Sequence, residues 1–375
     1  MLNLKAYDEF SPVLEHYENF DFKAYLKNVS DEEIKTSLKK EHLNQYDFLN
    51  LISPQAQKYI EQMAVISKEH KLRHFGKVIQ LYLPIYISNY CSSDCTYCGF
   101  SKKNKIVRKH LNEEQLENEA KEIAKTGIKH ILLLTGEAAK KADMNYLKMA
   151  VGVLKKYFTS ISIEIYPLDE AGYKQLKELG VDGLTIYQEV YDKEVYKEVH
   201  TSGEKTNYKF RLDAPQRGAS AGLRAINVGA LFGLGDIYEE AFKSAIHAKF
   251  LMDKYFQSEI SLSMPRINNC EGEFQVEHEI NNLAFVQILL AYRLYMPNIG
   301  LNLSTREEAS FRDNLIDICA TKFSAGSKTD VAGYTGEDSS TEQFEISDER
   351  SVEEIALMIK AKGYQPIYKD WEIIQ

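Results

Sequence analysis

Eight short apolar runs, spread over about 250 residues and separated by helix signals, constrain this chain more than any other feature. They are LYLPIYIS (81–88), HILLLTG (130–136), ISIEIYP (161–167), GLTIYQE (183–189), AINVGALFG (225–233), ISLSMPR (260–266), GLNLSTR (300–306) and TKFSAGS (321–327). Most are β-rich and apolar almost throughout, as expected of parallel strands covered on both faces. Between them, Asn112-Glu113-Glu114-Gln115 reads as a capping box for a helix ending at Gly127, and KQLKEL (174–179) stops at Gly180. Residues 277–295 carry a long helical apolar period closed by Pro297. Eight such units predict an α/β chain folded as a (β/α)8 TIM-type barrel. The alternative, an open doubly wound sheet, lacks a G-x-G-x-x-G after its first strand.

The two ends read differently. Residues 1–75 predict a helical N-terminal extension. Ser30-Asp31-Glu32-Glu33 is a capping box, Ser53-Pro54 places a cap before a first-turn proline, and Ile60, Met63, Ala64 and Ile66 follow at helical spacing. Residues 76–335 are assigned to the barrel and 336–375 to a short C-terminal helical cap packed on it. In that cap, Ser351-Val352-Glu353-Glu354 starts a helix ending at Gly363, and QPIYKDW follows.

Three of the five cysteines, Cys91, Cys95 and Cys98, fall within eight residues directly after the first run. C-x3-C-x2-C supplies three thiolates. A 4Fe–4S cluster takes one per iron and keeps one iron open to a small molecule. A structural zinc site needs a fourth Cys or His nearby, but Cys270 and Cys319 are single and distant. A disulfide framework does not suit so long a chain with so few cysteines and no signal peptide. Free thiols and a cluster motif predict a cytoplasmic protein.

Bulk properties exclude rather than identify. The hydrophobic content of 44% and charged content of 27% are those of a globular protein. A net charge of −9 argues against general nucleic-acid binding, and no apolar run reaches membrane-spanning length. The 24 tyrosines carry no information about a substrate.

A barrel places its chemistry at the carboxyl ends of its strands. The cysteine loop follows the first run, Gly136 and Glu137 end the second, and Glu164 lies late in the third. Gln188 and Glu189 end the fourth, while Arg266, Arg306 and Ser324 lie at the ends of the last three.

With these residues in view, the chain resembles the radical S-adenosylmethionine superfamily. The motifs ISNYCSSDCTYCGFSKKNKIVRK, LLLTGE, YQEVYDKEVY, GALFGL, LSTRE, SAGSKT and YKDW, in that order from about Asp31 to Trp371, are similar to the tyrosine lyases of thiamine biosynthesis, the 2-iminoacetate synthase family. The resemblance implies that Cys91, Cys95 and Cys98 hold one 4Fe–4S cluster whose open iron chelates S-adenosylmethionine. Reductive cleavage would give methionine and a 5′-deoxyadenosyl radical, which takes a hydrogen from the amino group of L-tyrosine. Breakage of Cα–Cβ then yields 2-iminoacetate and p-cresol, the former destined for the thiazole of thiamine.

Residue by residue, the resemblance assigns Gly136 and Glu137 to the ammonium of S-adenosylmethionine and Arg211 to its carboxylate. Gln188, Glu189 and Glu164 are alternatives for the ribose hydroxyls. Tyr97 and the Gly229–Leu234 backbone are assigned to the adenine, with Leu231 and Phe232 reading as barrel core. Arg306 is the candidate for the tyrosine carboxylate, assisted by Ser304 and by Ser324 or Ser327, with Arg266 as a second arginine. His200, Cys270 and Cys319 read as structural, and Lys102–Lys109 as a solvated basic loop that could meet an acidic electron donor. Implied partners are a flavodoxin- or ferredoxin-type donor and thiazole synthase, because iminoacetate hydrolyses in water. The tyrosine lyase of hydrogenase maturation is expected to carry further clustered cysteines, and none follows Cys319 here. A related tryptophan lyase or deazaflavin synthase stays open, as does, remotely, a non-catalytic metal-binding protein.

Overall fold

The computed structural model describes residues 2–272, 274–336 and 339–369. Eight parallel strands close on themselves: β1 (Val78–Ser88), β2 (His130–Thr135), β3 (Ser160–Glu164), β4 (Gly183–Thr185), β5 (Ala225–Val228), β6 (Glu259–Leu262), β7 (Gly300–Leu303) and β8 (Lys322–Ser324). Closure is made where β8 returns to β1, with Leu81 opposite Phe323 and Tyr82 opposite Ser324. The strands start close to the apolar runs but stop short of their ends. The last residues of the runs at 183–189, 225–233, 260–266 and 300–306 leave the ladder and become the loops of the upper face. Single bridges, Glu189 to Ala230 and Phe232 to Arg266, carry the pairing slightly further.

Local sequence chemistry sets many of the helix ends. Ser30, Asn112 and Ser351 each head a reciprocal capping box, and Gly180 ends the Glu170–Leu179 helix at φ +113°. Three expectations change. The long helix spans Asn282–Tyr295, not 277–295, because the Asn281 side chain caps the Ala284 N–H and starts the helix there. Ser53 is not a side-chain cap: its hydroxyl donates back to the Asn50 carbonyl, and Pro54–Tyr59 is a 3-10 turn. The helix headed by Asn112 ends at Ala124, three residues before Gly127.

The extension packs through Gln45–Ile52 and Ile60–Phe75 onto the Asn282–Tyr295 helix. Phe48, fully buried, stacks on Tyr292 at 5.4 Å between ring centroids, a burial worth about 1.5–3 kcal/mol. At the opposite end of the chain, Gln365–Ile367 forms a ninth strand, β9, parallel to the first residues of β1. Of the YKDW motif, Asp370 and Trp371 lie outside the described residues.

One further segment governs the upper face. Residues 341–347 run across it as a strap, each backbone bond reaching a different loop. The Thr341 N–H donates to Val107, Gln343 to Thr329, Glu345 to Asn269 and Ser347 to Thr305, at 3.3, 3.0, 2.9 and 2.8 Å. These acceptors belong to the loops after β1, β8, β6 and β7. The strap therefore ties four strand ends together over the barrel mouth.

Candidate active site

The cysteine loop leaves β1 and is anchored at both ends. Asn89 clasps the returning chain, its carboxamide donating to the Val107 carbonyl and accepting from the Lys109 N–H. The Arg108 guanidinium donates to the carbonyls of Asn89, Phe100 and Ser101, so the basic segment is in part a structural brace rather than a wholly solvated loop. Asp94–Cys95 pairs antiparallel with His200–Ser202, which binds the cysteine loop to the loop after β4.

Gly136 completes the anchoring. Its N–H donates to Ser88, and a Cβ here would press into the Tyr90 carbonyl, 3.0 Å from the carbonyl carbon. Only glycine lets the end of β2 lie against the cysteine loop.

Cys91, Cys95 and Cys98 line one cavity with Gly136, Glu137, Glu164, Glu189 and Arg211. Among the described residues no three His, Cys, Asp or Glu side chains meet as ligands of a single ion. A cluster bound by one thiolate per iron requires no such convergence, so three thiols on one cavity wall fit it. Burial pushes Cys91 up to about 11 and Cys95 well above the ordinary thiol range. Both therefore hold their protons at neutral pH until a metal displaces them.

Beside the thiols lies a compact group of two anions and two cations. Glu137 Oε1 meets Arg211 Nη1 at 2.5 Å and Lys205 Nζ at 3.7 Å, and Glu189 Oε1 meets Lys205 at 2.7 Å and Arg211 Nη2 at 3.2 Å. Burial pushes Glu189 up, but Lys205 and Arg211 outweigh it and hold the carboxyl below its ordinary value. Burial lowers both cations, and the two carboxylates more than reverse that. Among the described residues Glu137 Oε2 is buried without a partner, an acceptor left open in a site lined with donors. Glu189 adopts φ +72°, a conformation unusual for a residue with a Cβ.

A second chamber adjoins the first across Tyr86, Cys98, Glu164, Glu189, Lys205 and Gln343. Burial, aided by Glu189, pushes Glu164 up to about 7. Ser304, Arg306, Ser324 and Ser327 line the far side. The Ser324 hydroxyl accepts the Thr305 N–H, whereas the buried Ser327 hydroxyl has no partner among the described residues. The Arg306 guanidinium lies 3.3 Å from the Phe344 ring centroid, and among the described residues it makes no ion pair or side-chain hydrogen bond.

The structure thus brings together the three cysteines, Gly136, Glu137, Glu164, Glu189 and Arg211 around one chamber. It gathers Tyr97, Leu231, Ser304, Arg306, Ser324 and Ser327 around the other. It does not bring Gln188 or Arg266 to either. Gln188 is buried with its amide unpartnered. Arg266 is held by the Glu307 carboxylate and by Asn282, between the rings of Phe285 and Phe311. Of the residues read as structural, His200 bonds the Tyr97 hydroxyl at 2.8 Å, and Cys270 donates to the Tyr97 carbonyl. Phe232 lies in the barrel core, as expected.

Sequence reasoning missed Lys205, Tyr86, Tyr187, Gln343 and Phe344. Lys205 carried a faint signal, an isolated lysine six residues before Arg211 in the same loop. The strap residues carried none.

Models of two families match the chain: the radical SAM superfamily over residues 85–247 and the biotin and thiamin synthesis associated domain over 263–365. The chain is 36% identical to the 2-iminoacetate synthase of Salmonella typhimurium and 37% to that of Escherichia coli. Each match runs over 353 residues, 94% of both chains. The X-ray structure of the FeFe-hydrogenase maturase HydG from Carboxydothermus hydrogenoformans superposes with a TM-score of 0.88 at 30% identity. It covers 98% of this chain and 86% of its own. Methylornithine synthase (PylB) shares the fold, with a TM-score of 0.72 at 19% identity over 89% of this chain and 97% of its own. The three-thiol loop on a closed parallel barrel and the near full-length identity agree: the chain belongs to the 2-iminoacetate synthase family of the radical S-adenosylmethionine superfamily.

Proposed function

We infer that this protein is a radical S-adenosylmethionine lyase that cleaves the Cα–Cβ bond of L-tyrosine to 2-iminoacetate and p-cresol, for the thiazole of thiamine. The observation that carries the reading is the junction of two chambers. One is walled by three thiols and a balanced ion cluster, and the other ends at an arginine that no carboxylate pairs with among the described residues. A 4Fe–4S cluster on Cys91, Cys95 and Cys98, when bound, supplies the electron that starts radical chemistry on S-adenosylmethionine.

The chain's own residues do the rest. Glu137 takes the ammonium of S-adenosylmethionine, through the oxygen that has no partner, and Arg211 takes the carboxylate. The methionine end of S-adenosylmethionine brings one charge of each sign to the buried cluster, whose ion pairs open to admit it. Glu164 and Glu189 face the chambers and suit the ribose hydroxyls, and Tyr97 with the Gly229–Leu234 backbone suits the adenine. Arg306 offers its planar fork to the carboxylate of tyrosine, with Ser304, Ser324 and Ser327 nearby. The strap closes the mouth and keeps water from the reacting atoms.

The product's lability suits direct transfer to thiazole synthase, and the low-potential electron suits a flavodoxin or ferredoxin donor, both in the cytoplasm. No helix of the described residues is long and apolar enough to cross a membrane.

The test is anaerobic. After cluster reconstitution, reductant, S-adenosylmethionine and L-tyrosine should give p-cresol and 5′-deoxyadenosine together, and Cys95→Ala should abolish both. 5′-Deoxyadenosine without p-cresol would rule out tyrosine as the substrate.

A further inference from the structure

Gln343 sits on the strap where the two chambers meet, and it bonds at both ends of its side chain. Its Oε1 accepts the Tyr86 hydroxyl at 2.8 Å, and its Nε2 lies 3.7 Å from Cys98 Sγ. The contact is held from several sides. The Gln343 N–H is bonded to the Thr329 carbonyl, and a Cβ on Gly99, next to Cys98, would strike the Gln343 carbonyl. Strap and cysteine loop are therefore in direct backbone contact, and the Tyr86 hydroxyl holds the amide beside the sulfur.

We propose that Gln343 is a positioning residue for the cluster, its amide donating to the Cys98 sulfur and raising the cluster's reduction potential. The inference rests on the cluster reading above and goes beyond it. A ligated thiolate sulfur only accepts hydrogen bonds, so the amide must present its NH2 to Cys98 and its oxygen to Tyr86. Tyr86 is suited to hold that sense, because burial pushes its phenol well above the ordinary range and it stays a donor at any physiological pH. A donor aimed at a cluster sulfur stabilises the more negative, reduced cluster over the oxidised one. This role does not follow from the cysteine spacing, since 245 residues separate the partners.

The measurement is an EPR-monitored redox titration of the reconstituted full-length protein, normalised to bound iron and sulfide. Gln343→Leu should move the midpoint to more negative potential. The ratio of reduced to oxidised cluster at a fixed potential should fall by up to about tenfold, which is about 59 mV for one electron. Gln343→Glu, nearly isosteric, places a carboxylate at the sulfur and should shift the midpoint at least as far. Tyr86→Phe should give a smaller shift of the same sign. A fully loaded Gln343→Leu protein with an unchanged midpoint overturns the proposal. If that variant loses its cluster, the glutamate variant decides, and an unchanged or raised midpoint there overturns it equally. Failure of the wild-type protein to take up iron and sulfide would instead refute the cluster reading.

Discussion

Arg306, Arg266 and Arg312 lie within 47 residues of one another in sequence, yet their settings predict three different outcomes of truncation. Arg312 is paired with Asp348, both side chains wholly buried, and Arg266 with Glu307, a carboxylate 3% exposed. Removing Arg266 strands a buried acid, at a cost of about 3–5 kcal/mol, whereas Asp348 keeps a second partner in Arg350, 2.7 Å away, so Arg312→Ala should cost less. Among the described residues Arg306 has no such partner, so Arg306→Ala forfeits chiefly its contact with the Phe344 ring, roughly 0.5–2 kcal/mol.

The cost of Arg306→Ala should appear in catalysis. Two charge-assisted bonds to a substrate carboxylate, at about 1.5–3 kcal/mol each, amount to about 3–4 kcal/mol after partial replacement by water. That is a loss of roughly 100- to 1,000-fold in kcat/KM for tyrosine. Arg306→Lys keeps the charge but not the fork and should recover about tenfold. The assay is p-cresol formation against tyrosine concentration, beside urea unfolding of the same proteins without cluster. An Arg306→Ala protein with unchanged kcat/KM would refute the assignment. A stability loss as large as that of Arg266→Ala would refute the claim that Arg306 makes no ion pair among the described residues.

Other substitutions test separate links. Gly136→Ala should force the cysteine loop away from the end of β2, so iron per chain after reconstitution falls while urea unfolding shifts little; full loading would refute the close-approach argument. Ser351→Ala removes the capping box of the Val352–Ala361 helix and should cost about 1 kcal/mol in unfolding free energy, without changing kcat. Glu164 bears on pH: its carboxyl, ordinarily near 4.5, is raised to about 7. Its contribution to stability is complete below about 4.5 and is lost as pH rises through about 7, because over that range the unfolded chain ionises and the buried carboxyl resists. Apoprotein Glu164→Gln should therefore gain stability relative to wild type across that window, and a constant difference would count against the burial account. Glu137→Gln should raise the concentration of S-adenosylmethionine needed for half-maximal 5′-deoxyadenosine formation, with the tyrosine dependence little changed.

The sequence by itself determined what depends on neighbours along the chain. Strand number came from apolar runs, several helix starts from Ser and Asn capping boxes, and the metal chemistry from three cysteines in eight residues, because each signal is complete within a dozen positions. Strand-end position marked Glu137 and Arg306, and the resemblance added Arg211, before any geometry was known.

Tertiary structure decided everything set by distant partners. Arg266 and Arg306 look alike in sequence, each ending an apolar run. Only the fold shows that Glu307 turns to Arg266 and leaves its own neighbour Arg306 facing the chamber. Gln188 and Glu189 are adjacent, but Glu189, at positive φ, meets Lys205 and Arg211, while the Gln188 side chain is buried without a partner among the described residues. Gln343 reaches Cys98, and β9 reaches β1, across hundreds of residues. A buried charge or donor is worth what surrounds it in space, and the closing of the barrel assembles those surroundings from chain segments that share no local pattern.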